Sequence, residues 1–198
     1  MSQEKIAEML SQRMTTADLR ALGCSAAELV RRGFSVAYLR LNGYTAFEFL
    51  GEVPVKKLLD GGYSARDFRE AGYAAAHLWS VGVKVAELRA AGYPEYELRR
   101  YLSMQVLRDG GYSLETLRAI GATVPQLREL GVSNSDLRKA GYVLRELLVI
   151  DIPPKLLADA GYTAEEFRRG GCSLDEAKLA GFTAEQLASA GYPSADTA

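Results

Sequence analysis

The chain has 198 residues, 48% hydrophobic and 25% charged, enough apolar material for an ordinary core. Twenty-four Lys and Arg stand against 25 Asp and Glu, and the resulting formal charge of -1 excludes a general attraction to nucleic acid or anionic membrane. No segment reaches the roughly 18 apolar residues of a membrane span, and Met1–Ser11 lacks an apolar run of signal length, so a soluble, intracellular, reducing setting is expected.

Taken in order, residues 1–12 read as a degenerate N-terminal cap, with Met9 of residues 3–12 standing where later units carry leucine. From Arg13 to Ala190 the chain is an array of ten-residue units. They begin at residues 13, 23, 33, 43, 52, 62, 72, 82, 92, 101, 111, 121, 131, 141, 151, 161, 171 and 181. Position one is Gly in fourteen of these eighteen units, position three is Ser or Thr in twelve, and position seven is Leu or Phe in seventeen, Ala177 being the exception. The units at 43 and 92 have nine residues, a deletion expected to shorten the turn and spare the helix. Residues 191–198 form a fading tail, and the whole of 1–198 reads as one repeat domain.

Gly161–Gly170, G-Y-T-A-E-E-F-R-R-G, displays the logic of one unit. Thr163 is a natural N-cap, and Glu166 three residues later completes a capping box while placing negative charge at the positive end of the helix dipole. Gly171 suits the left-handed residue that ends a helix. Tyr162 precedes the N-cap, where a hydrophobic staple would press it on Phe167. It also follows the previous helix, where Schellman geometry would bring it to Leu157. Since isolated helices shorter than ~12–15 residues are marginal in water, each unit must lean on its neighbours.

The expected fold is all-α: an α-solenoid with one short helix per repeat and a similar screw step from each unit to the next. Positions two, four and seven supply the core, position ten helps where it is apolar, and positions five and nine face water. Nothing in the sequence alternates between odd and even units, which argues against a helical-hairpin array. A slower rhythm is superposed. Motif glycine is missing at Arg13, Glu52, Tyr101 and Asp151, and the last three open similar segments 49 and 50 residues apart. Two explanations stand: duplication of a fifty-residue ancestor, or about five helices per superhelical turn.

The pattern G-[YF]-[ST]-x-x-[DE]-L-R-x-A resembles the ten-residue helical repeats that recur in inferred proteins of algae and other protists. The resemblance covers almost all of Arg13–Ala190 and implies an architecture with a scaffold or interaction role, and no particular activity.

Two sets of residues carry functional readings. Position eight is basic in eleven units, including the series Arg89, Arg99, Arg108, Arg118, Arg128 and Arg138, a ladder that could receive phosphates of nucleic acid or another polyanion. Against that, position six is acidic in ten units, and arginine near a helix C-terminus is favourable on its own account. The second set comprises the apolar departures at and beside position eight: Phe47, Leu50, Leu59, Trp79 and Leu148. They are candidates for a protein contact if the array does not cover them. The leading expectation is a non-enzymatic protein-binding scaffold, or a structural or linker subunit of a larger assembly, without cofactor or metal. The alternative is polyanion binding along the arginines. His77 is the lone histidine and sits at the usual Glu position, as an exposed or capping residue. Cys24 and Cys172 occupy position two as small hydrophobes, and no disulfide is expected. Glu165–Glu166 and Asp175–Glu176 read as first-turn charges, and Gly110–Gly111 and Gly170–Gly171 lack the strand and G-K-[ST] of a phosphate loop.

If position seven is core, Leu117→Ala lowers the unfolding free energy by ~2–5 kcal/mol in urea titration; a loss under ~0.5 kcal/mol contradicts the assignment.

Overall fold

A computed structural model describes residues 15–21 and 23–193. The N-terminal cap with Met9, the start of the first unit at Arg13, and the end of the tail lie outside the described residues. Within them the chain is a helical repeat solenoid of 17 α-helices and one 3-10 turn, with no strand. It divides into two compact units, Met1–Tyr101 and Leu102–Ala198. Repeats are numbered here from 1 at residue 13 to 18 at residue 181.

Most repeats form their helix from positions four to nine, repeat 14 only over Leu144–Leu147, and local chemistry sets both ends. In repeat 16 the helix Ala164–Gly170 starts where the Thr163 hydroxyl accepts from the Glu166 amide at 3.3 Å and the Glu166 carboxylate accepts from the Thr163 amide at 2.7 Å. It ends at Gly171 with φ 90°, the left-handed conformation that a Cβ would strain. The Schellman bonds are present one repeat earlier: Tyr162 N–H donates to the Leu157 carbonyl at 3.2 Å, and Gly161 N–H to the Ala158 carbonyl at 2.8 Å. Around Phe68 the rings approach as the staple and Schellman arguments require. Tyr63 lies 6.3 Å from Phe68, and Phe68 lies 5.1 Å from Tyr73.

Position seven is buried in all eighteen repeats, from Leu19 to Leu187. Position two is buried or half-buried, and position nine exposed, wherever they are described. Position five follows suit less strictly: Ala27 is only 1% exposed.

The helices stack mainly two repeats apart, although the successive helices of repeats 10 and 11 and of repeats 16 and 17 also touch. In the N-terminal unit repeat 2 packs on 4, 3 on 5, 4 on 6, 6 on 8 and 7 on 9; in the C-terminal unit 13 packs on 15, 14 on 16, 15 on 17 and 16 on 18. Within each unit, odd and even repeats therefore form two columns, although successive units are chemically alike. One helix per repeat with equivalent surroundings is what the absence of odd-even alternation led to, and chemically alike units here pack on their second neighbours. A packing step of two repeats also does not supply the five-repeat rhythm.

Tyrosine hydroxyls tie each column together. Tyr93 donates to the carbonyl of Tyr73 at 2.9 Å, Tyr142 to Ala122 at 2.5 Å, Tyr162 to Tyr142 at 2.7 Å and Tyr192 to Cys172 at 3.0 Å, while Tyr63 reaches the carbonyl of Tyr44. Each acceptor is the position-two carbonyl two repeats back, in the extended link between helices, where no helical amide can satisfy it.

Departures from the motif have local consequences. In the nine-residue repeats the helix itself shortens, contrary to expectation. Repeat 4 becomes the 3-10 turn Ala46–Phe49 and repeat 9 the five-residue helix Glu95–Arg99, while glycine turns at Gly51 and Gly92 persist. Repeat 7 has Ala74 at its N-cap, without a hydroxyl. Glu97, two repeats onward, supplies the acceptor for the Ala75 amide at 2.7 Å. Gly61 allows close stacking, since a Cβ there would stand 2.3 Å from Val36 Cγ1.

Burial pushes the hydroxyls of Tyr63, Tyr93 and Tyr162 from an ordinary 10.0 up to about 12. The folded state thus favours the neutral phenol. That stability is complete below pH ~10, where the unfolded chain begins to ionise, and is lost as pH rises through ~12. Circular dichroism and tyrosinate absorbance should therefore change together in this window; ionisation of all tyrosines near pH 10 with helicity intact would contradict the buried ladder.

Candidate protein interface

The arginines of position eight fold back on the array. Arg20 shows the full arrangement: its guanidinium donates to the Gly43 carbonyl at 3.2 Å, lies 4.0 Å from the Tyr44 ring centre and pairs with Glu48 at 3.0 Å. Each contact has counterparts. Arg168 donates to the Ala190 carbonyl at 3.2 Å, and Arg108 to that of Leu130. Arg118 and Arg138 lie 5.2 and 5.5 Å from the rings of Tyr142 and Tyr162 and pair with Glu146 and Glu166 at 3.4 and 3.5 Å. The guanidinium thus sits at the C-terminal end of the helix two repeats on, where its charge complements the dipole, and reaches the N-terminal carboxylate of the following repeat. Arg128 turns to the Val132 carbonyl at 3.0 Å. Arg89 and Arg99 occupy the last turns of helices Val85–Ala90 and Glu95–Arg99. With the Arg118 and Glu146 side chains about 40% exposed, such pairs contribute at most ~1 kcal/mol each.

The apolar candidates mostly remain uncovered. Phe47 is 64% exposed, Leu50 45%, Leu148 41% and Trp79 39%, whereas Leu59 is half-buried. They do not converge on one spot. Phe47, Leu50 and Leu59 line three different grooves of the N-terminal unit, and Leu148 belongs to the C-terminal unit, against Gly170.

More apolar surface stands at positions the motif gives to water. Leu41, Val149 and Leu179, all at position nine, are 81%, 70% and 71% exposed, and Tyr96 at position five is 71% exposed. Apart from Phe47 at position five, the sequence reading weighed departures at position eight and passed over these. The same comparison at positions five and nine would have found them.

Grooves recur between alternate repeats. One of about 590 Å3 lies between repeats 4 and 6, rimmed by Leu41 and Phe47 and floored by the buried Tyr44 and Tyr63. Another, between repeats 6 and 8, shares Tyr63. In the C-terminal unit equivalent grooves lie between repeats 12 and 14 and between 16 and 18. These four fall between even-numbered repeats, and a fifth, lined by Val53, Val55, Tyr73 and His77, falls between repeats 5 and 7.

His77 is exposed beside this fifth groove with Leu50 and Tyr73. Cys24 is buried and Cys172 half-buried, both as free thiols, and burial raises the Cys172 thiol above its usual range. Among the described residues no cluster of His, Cys, Asp and Glu could hold a metal ion, and no helix is long and apolar enough to cross a membrane.

The periodic caps, turns and buried position-seven residues of the C-terminal repeats have a counterpart among known families. Residues 123–195 match a family model described as a decapeptide repeat region. The match supports a ten-residue repeat array over that stretch. No curated protein and no solved structure matches the chain.

Proposed function

We propose that the chain is a non-enzymatic scaffold, a protein-binding or linking subunit of a larger assembly. The observation that carries this reading is the large apolar side chains left at solvent-facing positions, Leu41, Phe47, Val149 and Leu179 foremost. The fold gains little from them, because the core is already filled by positions two, four and seven. Exposed apolar area of this kind is characteristic of interfaces, and an array of stiffly coupled repeats offers it without reorganisation on binding. Polyanion binding is the weaker reading, since Arg108, Arg118, Arg128 and Arg138 already serve main-chain carbonyls, tyrosine rings or carboxylates of the array.

The test uses affinity recovery from the native source with the wild-type chain and with Trp79→Glu and Leu148→Glu. Because both residues are substantially exposed, the variants should melt normally and lose the recovered protein partner, with Trp79→Glu the more severe. Unchanged recovery with both variants, or recovery of nucleic acid alone, contradicts the proposal.

A further inference from the structure

Resting on that scaffold reading, we infer that the groove between repeats 16 and 18 of the C-terminal unit seats an arginine side chain of a protein partner, at a place where neighbouring repeats hold an arginine of their own.

The groove between repeats 12 and 14 shows the resident arrangement. Arg118 lies 5.2 Å from the ring centre of Tyr142 and pairs with Glu146 at 3.4 Å, and a Cβ on Gly141 would stand 3.1 Å from its guanidinium. Arg138 sits in the same way against Tyr162, Glu166 and Gly161, and Arg168 lies against Gly191. The groove between repeats 16 and 18, about 500 Å3, is built from equivalent positions. Ala158 stands there for Arg118, Phe182 for Tyr142 and Gln186 for Glu146. Ala158 is too short to reach across, and a Cβ on Gly181 would meet nothing within 4 Å. Alanine occurs at position eight only here and at Ala188.

The surroundings keep the chemistry of an arginine site. Phe182, half-buried, offers a ring on which a guanidinium can stack, and helix Leu174–Leu179 ends just before it, where free carbonyls favour a cation. The groove is lined by Glu165 and Glu185 and by no basic side chain. Glu165 is engaged by Arg169 at 2.6 Å, whereas the exposed Glu185 makes no ion pair among the described residues. Phe182 also lacks the hydroxyl that Tyr142 and Tyr162 extend to carbonyls two repeats back, so the Tyr162 carbonyl has no tyrosine donor.

A guanidinium brings charge, several N–H donors and a planar face together, whereas an ammonium has no face to stack. Arginine is also a frequent anchor of protein interfaces. A carboxylate offered by a partner would meet two like charges.

The probe is N-acetyl-arginine amide, titrated into the isotope-labelled full chain beside its citrulline counterpart, which has a similar shape without the charge. The arginine probe should shift the amides of Gly181, Phe182 and Glu185 with Kd on the order of millimolar, and added salt should weaken it. The citrulline probe should leave them in place. Ala158→Arg supplies the guanidinium from within the chain and should abolish the shifts without lowering the melting temperature. Glu185→Gln, at an exposed site, should weaken binding about threefold. Absence of the shifts, equal shifts with citrulline, or shifts that persist in folded Ala158→Arg overturn the inference. A native partner lost with Trp79→Glu and Leu148→Glu but retained with Ala158→Arg overturns it while leaving the scaffold standing.

Discussion

A tyrosine hydroxyl buried at position two donates to a main-chain carbonyl two repeats earlier, and the array depends on that reach. The carbonyl lies in the extended link between two short helices, where no helical amide is available. Left buried and unpaired it would cost about 1–3 kcal/mol. Tyr63, Tyr93, Tyr142, Tyr162 and Tyr192 repeat the arrangement. The arginine of position eight makes a parallel connection over the same span on the outside, capping a helix end and covering a tyrosine ring. Helices of about six residues, too short to persist alone, thereby become parts of columns.

The same couplings decide what remains for function. Arginines that look in the sequence like a basic stripe are turned inward to carbonyls and carboxylates, so the charged ladder is largely an internal fastening. The surface left for partners consists of what the fastening does not use: apolar residues at positions five, eight and nine, and carboxylates such as Glu185 at helix ends. Leu41, Phe47 and Val149 border the grooves that alternate stacking creates. On the proposed scaffold reading, departures from the motif carry the contacts with partners, while the motif itself is committed to architecture.

Much of the fold was legible in the sequence because its signals are local. The cap at Thr163, the left-handed Gly171 and the buried Leu117 each follow from a few neighbouring residues and a ten-residue period. The two-column stacking was not legible, because packing on the second neighbour leaves no odd-even mark in composition when the units are chemically alike. Its trace lay in chemistry: a preference for Tyr over Phe at position two makes sense only if the hydroxyl has a distant acceptor. Glu97 capping the helix that follows Ala74 was hidden for the same reason, twenty-two residues separating donor and acceptor. In the candidate interface, Leu50 and Trp79 stood out as apolar where arginine was expected, whereas Leu41 and Val149 were passed over although position nine was already assigned to solvent.

The most direct test of alternate-repeat coupling is the carbonyl-carbon chemical shift of Tyr142 in the wild type and in Tyr162→Phe. Loss of the hydroxyl that donates to it at 2.7 Å should move the Tyr142 resonance and leave that of Ile152, in the intervening repeat, in place. An unchanged Tyr142 carbonyl, or a shift confined to Ile152, would mean that successive repeats rather than alternate ones are joined.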